Sequence, residues 1–157
     1  MNANEILPGL FVGNMHAARD PIFFKENNIK AVLNMTPEIQ HYFTSKTGDI
    51  EYMRLNVNDS LKQEDFNKMF KYFPSGISFI YKNLNLEGKN VLIHCHAGVQ
   101  RSAAMAVAYM MLIYKKPLKK SIDLVIQKRP IAFLYGRSVN FMPALSKFAQ
   151  FHKIPFN

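Results

Sequence analysis

The sequence predicts an α/β domain with a central sheet, and two features of the chain predict it. Short runs of β-branched or aromatic residues, bounded by turn residues, alternate with segments that carry helical spacing. The 157 residues are 48% hydrophobic, which suits one folded domain over 1–157 with a core that needs no disulfide or metal. No internal repeat, low-complexity tract or Pro/Gly/Ser-rich linker divides the chain.

Taken in order, "LFVG" (10–13) reads as a strand, and residues 20–27 fit a short helix. "AVLNM" (31–35) and "YMRLNV" (52–57) are two further strands. Phe70, Phe73, Ile77, Ile80 and Leu84 recur at intervals of three and four, the stripe of an amphipathic helix. Pro74 fits that helix only in its first turn, where a missing N–H costs little. "VLIHC" (91–95) is a fourth strand. Residues 101–114 are apolar on every face and predict a central buried helix, with Met105, Met110 and Met111 as core filler. Leu118, Ile122, Val125 and Ile126 stripe a helix over 118–129, and a last helix is expected over 138–151 with Pro143 early in it.

Composition narrows the setting. One cysteine, Cys95, allows no internal disulfide, which fits a reducing, cytoplasmic or nuclear compartment. The opening "MNANEILPGL" lacks a basic segment followed by an apolar one, so no signal peptide is expected. No apolar run approaches the roughly 20 residues of a membrane helix. The net charge of +9 is uneven. Residues 1–78 hold 8 Lys+Arg against 9 Asp+Glu, and residues 79–157 hold 12 against 2. The basic half, with Lys115, Lys116, Lys119, Lys120, Lys128, Arg129 and Arg137, favours acidic or polyanionic partners or an anionic substrate.

The lone thiol sits in "HCHAGVQRS" (94–102), where a strand enters a loop and the loop enters the apolar helix. A helix N-terminus offers unpaired N–H groups at the positive end of its dipole. Ala97 and Gly98 let the backbone curl so that successive amides converge, a nest suited to a tetrahedral oxyanion. Arg101 adds a planar fork able to grip two phosphate oxygens. Cys95 lies at the base of this cradle, where helix terminus and cation favour the thiolate. There it is placed for in-line attack on phosphorus.

The string H-C-x5-R-S, from His94 to Ser102, resembles the signature of cysteine-based protein phosphatases. Its Ala-Gly pair resembles the dual-specificity branch, notably the small single-domain members of the vaccinia type. "LPGLFVGNMHAARD", "NNIKAVLNMT", "YFPSGISFI" and "FMPAL" resemble successive elements of that family. The resemblance implies a mainly parallel central sheet flanked by helices, the protein tyrosine phosphatase-like fold. It also implies hydrolysis of phosphotyrosine and phosphoserine/threonine in proteins, without metal or cofactor.

In that reading Cys95 is the nucleophile and Asp59, at the end of "LNVNDS", the general acid, with Asp65 the second candidate. Arg101 binds the phosphoryl group and Ser102 assists the departing sulfur. His96, Ala97, Gly98, Val99 and Gln100 line the phosphate loop, and His94 supports it from behind. The minimal length implies a shallow pocket. Gln100 stands where the family often has Ser or Asn. "RPIAFLYGRSVNF" departs further: Arg137-Ser138 occupy the place of a Pro-Asn pair, leaving no obvious asparagine to brace the loop, and Arg137 becomes a candidate substrate contact. Phe23, Phe24, Phe151 and Phe156 are expected to be exposed and leave a homodimer open. Rival readings on the same fold are an RNA 5′-triphosphatase, a phosphoinositide phosphatase and a phosphate-binding pseudophosphatase. A zinc site from His94, Cys95 and His96 is disfavoured, because alternate strand residues point to opposite faces. So is a nucleotide P-loop, because "GVQRS" lacks the Gly-Lys-Ser/Thr ending.

Overall fold

The structure, a computed structural model, describes residues 1–44, 49–136 and 139–157. Its strands are β1 (Ala3–Leu7), β2 (Leu10–Gly13), β3 (Ile29–Asn34), β4 (Glu51–Arg54) and β5 (Asn90–His94). They form one sheet in the order β1-β2-β5-β3-β4. β1 runs antiparallel to β2, and the β2–β5, β5–β3 and β3–β4 pairs are parallel. The sheet is therefore mainly parallel, and β5 lies at its centre.

Strand side chains alternate between two faces. Leu10, Val12, Ala31, Leu33, Val91 and Ile93 join the larger core. That core is covered by α3 (Gln63–Ile80), α4 (Arg101–Tyr114), α5 (Leu118–Lys128) and α7 (Met142–Phe151), with the single turn α6 (Ala132–Gly136) after α5. Phe11, Val32 and Leu92 face the smaller core under α1 (Met15–Ala18) and α2 (Pro21–Glu26). Both faces of β5 are thus covered, as its unbroken apolar run requires.

Local chemistry sets the element ends. The Asn14 side chain caps α1 by accepting the N–H groups of His16 and Ala17. Asp20 caps α2 in the same way, with Pro21 in the first turn. Residues Arg101 to Met111 of α4 are all buried, as expected of a helix apolar all round. Among the described residues no side chain caps α5. Its first turn is closed instead by the C-terminal segment, where Leu118 N–H donates to the Pro155 carbonyl (3.0 Å) and Lys119 N–H to that of Phe156 (2.8 Å).

Several expectations need correction. α3 begins at Gln63, so Pro74 lies inside the helix and not in its first turn. Pro74 is exposed, so the Phe70 carbonyl that it deprives of a donor can turn towards water. The apolar stripe also ends in a π-helical turn, Tyr81–Leu86. β1 escaped notice because Asn4 and Glu5 break its apolar run. α7 starts later than 138, at Met142, with Pro143 in its first turn. Phe24 is buried and Phe23 packs beside it, which leaves Phe151 and Phe156 as the exposed members of the expected aromatic set.

Candidate active site

Strand β5 delivers Cys95 to a loop that ends at Arg101, the first residue of α4. Cys95 is 2% exposed, and its sulfur is met from two sides. The Gly98 N–H donates to Sγ at 3.2 Å, and the Ser102 Oγ lies 3.3 Å away. Among the described residues no side chain caps the first turn of α4, whose leading N–H groups have no partner within the helix itself. Gly98 adopts a φ of +68°, and an added Cβ there would lie 2.6 Å from the Gly13 backbone. Only glycine suits both the angle and the space.

The loop's carbonyls reveal its design. Each one from Cys95 to Val99 has a partner outside the loop's concave side. The Cys95 carbonyl faces His94 Nδ1 (3.3 Å), and that of His96 accepts from Met15 N–H (3.0 Å). Ala97 and Gly98 accept from Arg129 Nη2 (3.4 Å) and Nε (2.8 Å). Val99 accepts from Phe133 N–H (2.8 Å). The peptides among the described residues are trans, so the carbonyl and N–H of one peptide plane point in opposite directions. Tying the oxygens outward turns the amides of His96 through Gln100 inward, towards the sulfur's side.

Arg101 is 6% exposed. Its Nη1 donates to the Val57 carbonyl at 2.9 Å, which fixes the guanidinium, while its buried Nε has no hydrogen-bond partner among the described residues. A buried donor left unpaired is costly unless a ligand meets it. His94 is 1% exposed. Burial lowers its pKa to about 4, helped by the positive charges of His41, Arg54 and Arg101 and opposed by its bond to the Cys95 carbonyl. The ring is therefore neutral near pH 7 and can carry its proton on Nδ1.

The carboxylates separate clearly. Asp65 is buried in the first turn of α3 and accepts the Ser60 hydroxyl, so it serves the helix start. Asp59 is exposed, two residues beyond the Val57 carbonyl that anchors Arg101. Its Oδ1 lies 3.5 Å from Asn140 Nδ2, and the Asn140 N–H in turn donates to the buried Gln100 side chain (2.9 Å). Asn140 thus touches both the aspartate and the loop, the bracing role that had no obvious candidate in the sequence. Gln100 meets this segment through its side chain. His96 and Ala97 form the exposed rim. Arg137 and Ser138 lie outside the described residues.

Arg129 is the largest departure from the sequence reading. Counted there among surface cations, it is 0% exposed. Its Nη1 also donates to Asn4 Oδ1 (2.7 Å) and the Met1 carbonyl (3.1 Å). Burial lowers its pKa, and attraction to Cys95 opposes that shift.

A mainly parallel sheet whose central strand feeds a cysteine into a loop of outward carbonyls and on into a buried helix defines the protein tyrosine phosphatase-like fold. Within it, the profile of the dual specificity phosphatase catalytic domain matches residues 10–151, and the chain belongs to that family. The chain is 35% identical over 127 residues to dual specificity protein phosphatase Mpk3 of Drosophila melanogaster, covering 80% of this chain and 29% of that protein. Human dual specificity protein phosphatase 9 is 33% identical over 125 residues, 80% of this chain and 31% of that protein. The chain thus spans about a third of the length of these relatives. The crystal structure of DUSP15 superposes with a TM-score of 0.82 at 28% identity, covering 98% of this chain and 93% of that one. That of human DUSP28 gives 0.84 at 19% identity, covering 98% and 96%. Among the described residues, no helix is long and apolar enough to cross a membrane.

Proposed function

We propose that this chain is a single catalytic domain that hydrolyses phosphotyrosine and phosphoserine/threonine in proteins through a phosphocysteine. One observation carries the reading: the buried sulfur of Cys95 lies on the amide side of a loop whose carbonyls are all tied outward. Anionic oxygens on phosphorus fit such an amide-lined site, where pre-aimed donors act without reorganisation.

In the first step the Cys95 thiolate attacks phosphorus, and the bond from phosphorus to the leaving oxygen breaks. Asp59 gives its proton to that oxygen. In the second step the Asp59 carboxylate takes a proton from water, whose oxygen attacks phosphorus, and the phosphorus–sulfur bond breaks. The Ser102 hydroxyl donates a hydrogen bond to the emerging sulfur anion, and inorganic phosphate leaves. Arg101, fixed through Nη1, turns its unpaired Nε to the phosphoryl oxygens in both steps. His94 supports the loop by donating Nδ1–H to the Cys95 carbonyl.

Phosphorylated proteins are the substrates in this reading, and the lone cysteine suits a reducing cytoplasmic or nuclear setting. The test is hydrolysis of a small aryl phosphate and of phosphopeptides by wild type, Cys95→Ser and Asp59→Ala. Turnover by wild type, abolished by Cys95→Ser and cut roughly 10²-fold or more by Asp59→Ala, is expected. Phosphopeptide binding by all three with no turnover would make the chain a binding module. Faster γ-phosphate release from triphosphate-ended RNA, or faster turnover of phosphoinositides, would reassign the substrate.

A further inference from the structure

We infer that Arg129 is a positioning residue that sets the direction of the phosphate loop's amides, and that Asn4 of the edge strand β1 holds it in place. The inference rests on the proposed function for its chemistry and on separate contacts for its geometry.

The peptide between Ala97 and Gly98 is gripped at both ends. Its oxygen accepts from Arg129 Nη2, while its N–H donates to the Cys95 sulfur. In the next peptide the Gly98 oxygen accepts from Arg129 Nε at 2.8 Å. Its N–H, on Val99, must therefore point the opposite way. Glycine at 98 makes this portion of the loop easy to flip, since it reaches both halves of φ space at little cost. A flip would turn carbonyl oxygens towards the sulfur and towards any bound anion. One guanidinium holding two consecutive carbonyls opposes that flip.

The cation is seated as a dedicated part. Arg129 is fully buried, and Nη1 is occupied by Asn4 Oδ1 and the Met1 carbonyl. These contacts fix the far edge of the guanidinium while Nε and Nη2 face the loop. A planar fork can satisfy this arrangement, and a lysine ammonium cannot reach both sides of it. The sheet's antiparallel edge strand is thereby connected to the loop at its centre.

The test compares wild type, Arg129→Lys, Arg129→Met and Asn4→Ala. Tungstate affinity is read by calorimetry, kcat and KM on an aryl phosphate by absorbance, and folding by circular dichroism. Arg129→Met should weaken tungstate at least tenfold and lower kcat/KM by roughly 10²-fold, the scale of a misplaced catalytic geometry, with the fall in kcat exceeding the rise in KM. Arg129→Lys should fall between that variant and wild type, and Asn4→Ala should lose a few-fold in both readouts. Folded Arg129→Met that binds tungstate and turns over within twofold of wild type overturns the inference. Should that variant fail to fold, unchanged affinity and kcat in both Arg129→Lys and Asn4→Ala overturn it instead. Wild type that binds tungstate without hydrolysing aryl phosphate removes the proposed function and leaves the tungstate series to decide the positioning role. Wild type that does neither removes both.

Discussion

Replacing Gly98 by alanine places a methyl group where the loop has no room. The new Cβ would lie 2.6 Å from both the carbonyl carbon and the oxygen of Gly13, and 2.8 Å from Arg129 Nη2. Arg129 is a side chain and could yield. Gly13 is backbone of β2, in register with His94 of β5, and its carbonyl accepts the Cys95 N–H. The sheet therefore holds and the loop must move. A side chain at this φ costs about 1 kcal/mol, and the forced backbone shift adds about 1–3 kcal/mol. The sum, roughly 3 kcal/mol, lowers the Tm of a domain of this size by about 6–12 °C. Activity should fall further, because the displaced amide is the one donating to the sulfur. A loss of roughly 10²-fold in kcat/KM is expected. Thermal unfolding by circular dichroism and turnover of an aryl phosphate measure the two effects. A variant that melts with wild type and turns over at its rate would refute the packing argument and the assigned loop direction together.

Other expectations follow from the same geometry. His94 is held at about 4 against an ordinary 6.5, so between those pH values the unfolded chain binds a proton that the folded chain refuses. Its contribution is complete above about pH 6.5 and is lost as pH falls towards 4, on the order of 3 kcal/mol. Urea midpoints between pH 7 and 4.5 should drop more steeply in wild type than in His94→Gln, and equal slopes contradict this. Ser102→Ala should slow breakdown of the phosphocysteine, so rapid-quench traces should show a burst of aryl alcohol before a steady rate lowered tenfold or more; a trace without a burst speaks against its role. Brief peroxide treatment should inactivate the domain through Cys95, and activity should return only with an added thiol, since the chain holds no second cysteine. Full recovery without thiol would contradict that.

The strand–loop–helix around Cys95 was legible in the sequence because its signals are local: an apolar run, a cysteine, small residues, then an arginine opening an apolar helix. The parallel strands were legible for the same reason, since strands covered on both faces need no polar alternation. What escaped depends on contacts between distant segments. Arg129 reads as one more positive charge until the fold sets it against Gly98 and Asn4, far away in sequence. Asn140 lies before α7 in a segment whose spacing departs from the family pattern, and only the fold shows that it meets Gln100 and Asp59. Pro74 was misplaced because the polar first turns of α3, from Gln63 on, carry little of the apolar stripe that announces the rest of the helix. The sequence ranks Asp59 above Asp65 by position alone; their burial and their partners, which spacing does not encode, separate them in the fold.

The closure of α5 by the carbonyls of Pro155 and Phe156 reaches beyond that helix. The same rod ends beside Arg129, so its entrance is moored by the tail while its exit grips the bowl. Trimming the last three residues would free two amides at the entrance of α5 and let the first turn unwind. A cut made only to tidy an expression vector could then blunt catalysis without touching a single group that meets phosphate.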